Sequence, residues 1–236
     1  SRGLGDVYKR QVQIILLNYY TISVNMTKIK AVLFDMDGTL IDARFWHYEA
    51  LNEALGIFGY EITLNDHLSK FDGLSTRKKL EILTQEQNFP GQISQIIHNV
   101  KQDRTLRIAA QKCYPNIAIQ ILLNRLKILG IRMGVVTNSI KDTSEFMIKY
   151  SGLSDYFEFI ISNENVSRPK PDPEGYELAV KLLNLNPNEV VVVEDGKYGI
   201  EAARKARIDN VIELGNIEDL DIELLAEYIP GLVNEN

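Results

Sequence analysis

An apolar run that ends in two carboxylates and a glycine is costly to bury unless chemistry needs it. This chain carries one, Lys30-Ala31-Val32-Leu33-Phe34-Asp35-Met36-Asp37-Gly38-Thr39-Leu40. Ala31 to Phe34 has the pattern of a strand covered on both faces, as in a parallel sheet, and Gly38 offers the turn that leads the chain away. Asp35 and Asp37 are thereby expected at the carboxyl end of a strand, where open α/β sheets bind their ligands. Side chains two apart on extended backbone share a direction, so both carboxylates address one small volume. Like charges that close repel, and the remedies are a cation between them or a shared proton.

The rest of the chain divides by periodicity. Residues 132–136 read as a strand delivering Thr137 and Asn138, 159–161 as a short strand, 190–193 as a buried strand ending at Glu194 and Asp195, and 211–212 as a last strand. Helical spacing covers 117–129, closed by Gly130, then 143–150, 173–183, 197–206 and 218–228. This alternation predicts a doubly wound parallel sheet, an α/β fold. Between Asp42 and Cys113 no strand is visible, and 45–55, 64–69, 75–87 and 92–110 all read as helices. The expected organisation is an α/β core formed by 26–43 and 112–236, with an all-helical unit, 44–111, inserted after the first strand and hinged near 42–44 and 113–116.

Composition narrows the partners. Lys and Arg total 26 against 32 Asp and Glu, a net charge of −6 with no basic stripe, which argues against nucleic acid. The single cysteine, Cys113, excludes an internal disulfide and reads as a core thiol at a helix end. His47, His67 and His98 lack metal-ligand spacing, so no zinc site is expected. The first 25 residues fit poorly with the remainder of the chain: Asp6-Val7-Tyr8-Lys9-Arg10-Gln11 has the look of a translated sequencing adapter, and a non-native extension with natural translation from Met26 is expected. The apolar run at 12–17 is too short to span a bilayer and lacks a small-residue cleavage pattern. A cytoplasmic monomer or small homo-oligomer without membrane contact is the resulting expectation.

Asp35-Met36-Asp37-Gly38-Thr39 resembles the first motif of the haloacid dehalogenase superfamily, in its phosphatase and phosphomutase branch. Thr137-Asn138 is similar to the second motif, Lys170 within Arg168-Pro169-Lys170-Pro171-Asp172-Pro173 to the third, and Glu194-Asp195 to the fourth. Each alone has a bland reading as a turn, a helix cap or a surface charge. Four in order, two of them closing apolar runs, are specific, and the resemblance runs from Ile29 to about Leu214.

The resemblance implies a Rossmann-like core with a small helical cap, and a Mg²⁺-dependent phosphatase that hydrolyses a small phosphorylated metabolite, a sugar phosphate among the candidates. Asp35 would be the nucleophile that forms an aspartyl-phosphate, and Asp37 the general acid and then base. Mg²⁺ would lie on Asp35, Asp195 and the backbone carbonyl of Asp37, with Glu194 directly or indirectly bound. Lys170, the Thr137 hydroxyl, the Asn138 backbone N–H and backbone N–H groups around Gly38 would meet the phosphoryl oxygens. In the cap, the glycine turn and helix start from Asp72 to Lys79 offer backbone donors and basic side chains, and His47 and Arg77 are the expected substrate contacts. Two other readings compete: a phosphomutase resembling β-phosphoglucomutase, for which Arg77 would hold a second phosphate, and a catalytically silent binding protein. Ala43 stands where the mutase has a hydroxyl and Thr39 where it has a valine, which favours the phosphatase. Asp35, Asp37 and Asp195 are all present, which argues against the silent protein.

Overall fold

The computed structural model describes residues 29–86 and 89–233; the stretch expected to be a non-native extension lies outside the described residues. Five strands form one sheet: β1 Ala31–Phe34, β2 Arg132–Val136, β3 Ile160–Ile161, β4 Val190–Glu194 and β5 Val211–Glu213. Their order is β3-β2-β1-β4-β5 and every pairing is parallel. β1 is central, with Phe34 opposite Val135 on one side and Val193 on the other. A strand so enclosed must be apolar on both faces, and all four of its residues are fully buried.

Val32 and Phe34 face one apolar cluster with Leu122, Leu123 and Leu126, from the helix Ile117–Ile128. Ala31 and Leu33 face another, with Tyr176, Ala179 and Ala203 from the helices Glu174–Leu183 and Lys197–Lys205. Helices on both faces make this the expected doubly wound sheet. The chain builds outward from β1 through β2 to β3, then returns to the other flank for β4 and β5. The reversal leaves a crevice at the carboxyl ends of β1 and β4, the place where such sheets bind ligands.

Between β1 and β2 the described residues form helices joined by turns, with no strand. They include α1 Arg44–Gly56, α2 Leu64–Asp66 with a π-helical turn at His67–Phe71, α3 Thr76–Glu86 and α4 Ser94–Lys112. α1 buries Leu51, Ala54 and Leu55 against Ile97 of α4 and Leu80 and Leu83 of α3, which gives this cap its own apolar centre. The core helices follow as α5 Ile117–Ile128, α6 Lys141–Tyr150, α7 Glu174–Leu183, α8 Lys197–Lys205 and α9 Ile222–Ala226.

α9 is shorter than the expected 218–228. Asn216 and Asp219 close a capping box around a single 3₁₀ turn, after which Asp221 starts the helix afresh by accepting from the Leu224 N–H. Cys113 follows α4 as a buried thiol, and burial pushes its pKa up to about 11. No helix among the described residues is long and apolar enough to cross a membrane.

Candidate active site

β1 hands the chain to Asp35, whose N–H continues the ladder by donating to the Val193 carbonyl at 2.9 Å. The next residues fold tightly: Leu40 and Ile41 both donate to the Met36 carbonyl, and Gly38 donates to Ile41 at 2.7 Å. Gly38 has φ of +93°, and a Cβ there would collide with the Asp195 carboxylate. The glycine thus lets the carboxyl end of β4 lie against the loop after β1. A second glycine does the same for the neighbouring acid, since a Cβ on Gly199 would overlap the Glu194 carboxylate. Gly38, expected to offer its backbone N–H to phosphate, here commits that N–H to the Ile41 carbonyl.

Asp35, Glu194 and Asp195 each offer an oxygen within 4.8 Å of the others. Lys170 reaches into this cluster. Its Nζ donates to Asp35 Oδ1 at 2.6 Å, Glu194 Oε1 at 2.5 Å and the Val136 carbonyl at 2.7 Å, so all three ammonium hydrogens are committed. The Tyr176 hydroxyl donates to the same Glu194 oxygen. Burial alone would lower the Lys170 pKa, but the two carboxylates outweigh it and hold the group charged.

The acids move the other way. Burial raises Asp35 well above the usual carboxylate range, against the pull of Lys170 and with the push of Glu194 and Asp195. Burial and Glu194 together bring Asp195 up to about 7, and Arg44 opposes this from 3.7 Å. One lysine therefore does not balance three buried carboxylates, and the hard-oxygen set left over suits Mg²⁺.

Asp37 occupies a different setting, as its role requires. Ser139 Oγ donates to its Oδ2 at 2.7 Å, and His47 Nε2 stands 3.0 Å from its Oδ1, in ion-pair range but off the line of a hydrogen bond. Burial raises the Asp37 pKa, yet His47, Ser139 and the more distant Lys101 outweigh it and hold the acid below its ordinary value. His47 is itself lowered by burial and by Lys101, against the opposing pull of Asp37. Lys101 Nζ lies 3.0 Å from His47 Nδ1; with Lys101 protonated the ring proton must sit on Nε2, facing Asp37.

The remaining expected residues fall around this centre. Thr137 Oγ1 accepts from the Ser139 N–H at 3.0 Å, leaving its O–H free to donate into the cavity. The Asn138 side chain accepts from the Lys170 N–H and donates to the Lys170 carbonyl and to the Gly73 carbonyl of the cap. Lys197 of α8 donates to the Ser69 carbonyl, a further bond between core and cap. With the cap seated this way, Arg44, His47, Lys79 and Lys101 line the same cavity as Asp35 and Asp37.

Arg77, expected to reach the substrate, is placed elsewhere. Its side chain is 89% exposed and pairs with Glu81 one helical turn on. α3 begins at Thr76, so Thr76, Lys79, Leu80 and Leu83 share its buried face and Arg77 falls on the solvent side. Lys79 faces the cavity instead, and Lys101 enters it from α4. Both had a signal in the sequence, a lysine inside an apolar stripe: Lys79 beside Leu80 and Leu83, and Lys101 four residues after Ile97 and four before Thr105.

Three carboxylates at two adjacent strand ends, with a lysine reaching into them, beneath a helical lid and beside a hydrogen-bonded aspartate, form the constellation of a phosphoryl-transfer enzyme. The model of the haloacid dehalogenase-like hydrolases matches residues 32–212, and the chain belongs to that family. A phosphorylated carbohydrates phosphatase of Thermotoga maritima is 28% identical over 183 residues, 78% of this chain and 84% of that protein. A validoxylamine A 7′-phosphate phosphatase of Streptomyces hygroscopicus is 31% identical over 84% of this chain and 90% of its own length. In fold the chain resembles a β-phosphoglucomutase of Clostridium difficile, with a TM-score of 0.73 at 24% identity over 85% of this chain and 96% of that one. The chain is accordingly a phosphatase of the haloacid dehalogenase type.

Proposed function

We propose that the protein is a Mg²⁺-dependent phosphatase of small phosphorylated metabolites, acting through an aspartyl-phosphate on Asp35. The observation that carries this reading is the division of labour between two aspartates two residues apart: Asp35 is bonded to Lys170, while Asp37 is bonded to Ser139 and faces His47. One is set as a nucleophile, the other as a proton carrier.

Asp35 attacks phosphorus, the bond to the leaving oxygen breaks, and Asp37 gives that oxygen its proton. Asp37 rests ionised, and a phosphate dianion arriving beside it raises its affinity for the proton it must deliver. In the second half Asp37 takes a proton from water, the water oxygen attacks phosphorus, and Asp35 is released as a carboxylate with inorganic phosphate. The Thr137 hydroxyl holds a phosphoryl oxygen, Lys170 fixes the Asp35 carboxylate and offsets charge beside it, and Asn138 fixes the backbone that carries Lys170. Asp35, Asp195 and the Asp37 backbone carbonyl, with Glu194 beside them, would hold Mg²⁺, which when bound neutralises charge on the transferring group. The cap excludes water while the intermediate lives.

The test is phosphate release from sugar phosphates, nucleotides and an aryl phosphate, with and without Mg²⁺, for the wild type, Asp35→Asn and Asp37→Asn. Mg²⁺-dependent release that both substitutions abolish supports the reading. Interconversion of glucose 1- and 6-phosphate without net release would move the same residues to a mutase, and no turnover by folded protein would sink both.

A further inference from the structure

We infer that Arg44, the first residue of α1, sets the affinity of the acidic cluster for its divalent cation: its guanidinium stands in as the counter-charge of Asp195 and opposes the cation that binds there. The inference rests on the Mg²⁺ reading of the cluster and adds to it a residue from the hinge of the cap.

The three acids are not served alike. Lys170 bonds to Asp35 and Glu194, and its third hydrogen goes to the Val136 carbonyl, so it has nothing left for Asp195. Among the described residues the ion pair of Asp195 is with Arg44, whose Nε lies 3.7 Å from Oδ2. That is no hydrogen bond, and the buried Arg44 Nε has no other partner. An arginine docked on a carboxylate closes a bidentate pair at about 2.7–2.9 Å. Arg44 stands further off, over the same turn as the acid: a Cβ on Gly38 would overlap Asp195 Oδ2 and come within 3.3 Å of Arg44 Nε.

The guanidinium is near enough for its charge to act, and it holds the Asp195 carboxyl down against burial and Glu194. It is not locked there, and with its side chain 25% exposed, water can take it over when it leaves. Arg44 therefore lowers affinity from both sides. It offsets one acid of the cluster while no cation is bound, and it repels a cation held by Asp35 and Asp195 in the cavity that all three line. Helix stability does not account for the residue, because the positive end of the macrodipole at the start of α1 disfavours a cation. The Arg44 carbonyl also accepts from His67 Nε2 at 3.2 Å, so the residue that answers the charge at β4 holds the π-helical turn of the cap as well.

The test titrates Mg²⁺ by calorimetry into substrate-free wild type, Arg44→Met and Arg44→Lys. Arg44→Met should bind about 5- to 20-fold tighter than wild type, while Arg44→Lys, which keeps the charge, should stay within about 2-fold of it. In chelator, exchanging Arg44 for Met should lower Tm more in the wild-type background than in Asp195→Asn, since the partner is absent there. Equal changes in the two backgrounds overturn the pairing. Equal or weaker Mg²⁺ binding by Arg44→Met overturns the inference and leaves the phosphatase reading intact, and a raised KM in that variant would make Arg44 a substrate contact instead. Tighter binding by both variants alike overturns it too, because shape and not charge would be the cause. No heat and no rise in Tm with Mg²⁺ in any of these proteins removes the cation and the inference with it; phosphate release without added metal then decides whether the hydrolase reading survives.

Discussion

Lys170 sits in a socket of three acceptors that matches an ammonium and does not match a planar guanidinium. Lys170→Met leaves the buried Asp35 and Glu194 facing each other uncompensated. We expect turnover to fall by about 10²- to 10³-fold and stability by roughly 3–5 kcal/mol in Mg²⁺-free buffer, with no rescue by Lys170→Arg. Steady-state rates and denaturant melts check both. Lys79 predicts the reverse sign. Burial pushes its pKa down to about 8, below the value near 10.5 of the unfolded chain. Below pH 8 the folded protein therefore carries the full cost of the buried charge, and from pH 8 to 10.5 the unfolded chain binds more protons, so stability rises with pH. Lys79→Met should be more stable than wild type by about 3 kcal/mol at pH 7, and the advantage should fade by pH 10.5 in chemical melts. At this scale the acidic motifs were readable because they end apolar runs and Lys170 because it stands in order among them, whereas Arg77 was chosen for its charge and Lys79 faces the cavity by helical phase. Counting residues from the α3 start at Thr76 separates them; charge alone does not.

Among the elements, one link between cap and core runs directly to the catalytic lysine. The Asn138 amide joins the Gly73 carbonyl at 2.8 Å to the backbone of Lys170, so one side chain senses both the cap and the residue that holds the nucleophile. Asn138→Ala removes these bonds while sparing the Asn138 backbone N–H expected at the phosphate. It should cost about 1–3 kcal/mol, speed amide exchange at residues 72–76 and lower kcat without unfolding the sheet. Unchanged exchange there would show that the cap is held by other contacts. The helices themselves were legible from apolar spacing, and so was the absence of strands between β1 and β2. The turn chemistry was less so: the box of Asn216 and Asp219, and the restart at Asp221, interrupt a stretch whose spacing alone reads as one helix. Short polar side chains that hydrogen-bond their own backbone compete with the periodic signal. The side chain of Asn138 was hidden for a related reason, since its partners lie 32 and 65 residues away in sequence and no local pattern announces them.

The molecule as a whole places its acids on adjacent central strands, Asp35 after β1 and Glu194 and Asp195 at the end of β4. The sequence shows the two strands as apolar runs, but their adjacency follows from the order β3-β2-β1-β4-β5, which reverses direction between strands separated by more than 150 residues. That topology gives metal binding a global consequence. A cation shared by β1 and β4 would neutralise carboxylates that otherwise repel across the centre of the sheet, in the folded state only, so its binding free energy adds to the stability of the whole domain. At about 100 times its Kd, Mg²⁺ should contribute about 2.7 kcal/mol. For a chain of this size that raises Tm by roughly 5–10 °C. Asp195→Asn removes one anionic oxygen donor and one source of repulsion together, so the variant should melt higher than wild type without Mg²⁺ and gain little when Mg²⁺ is added. Calorimetry with Mg²⁺ and with a chelator reads both differences. Equal Mg²⁺ increments in the two proteins would place the cation away from β4, and no increment in either would remove it from the site.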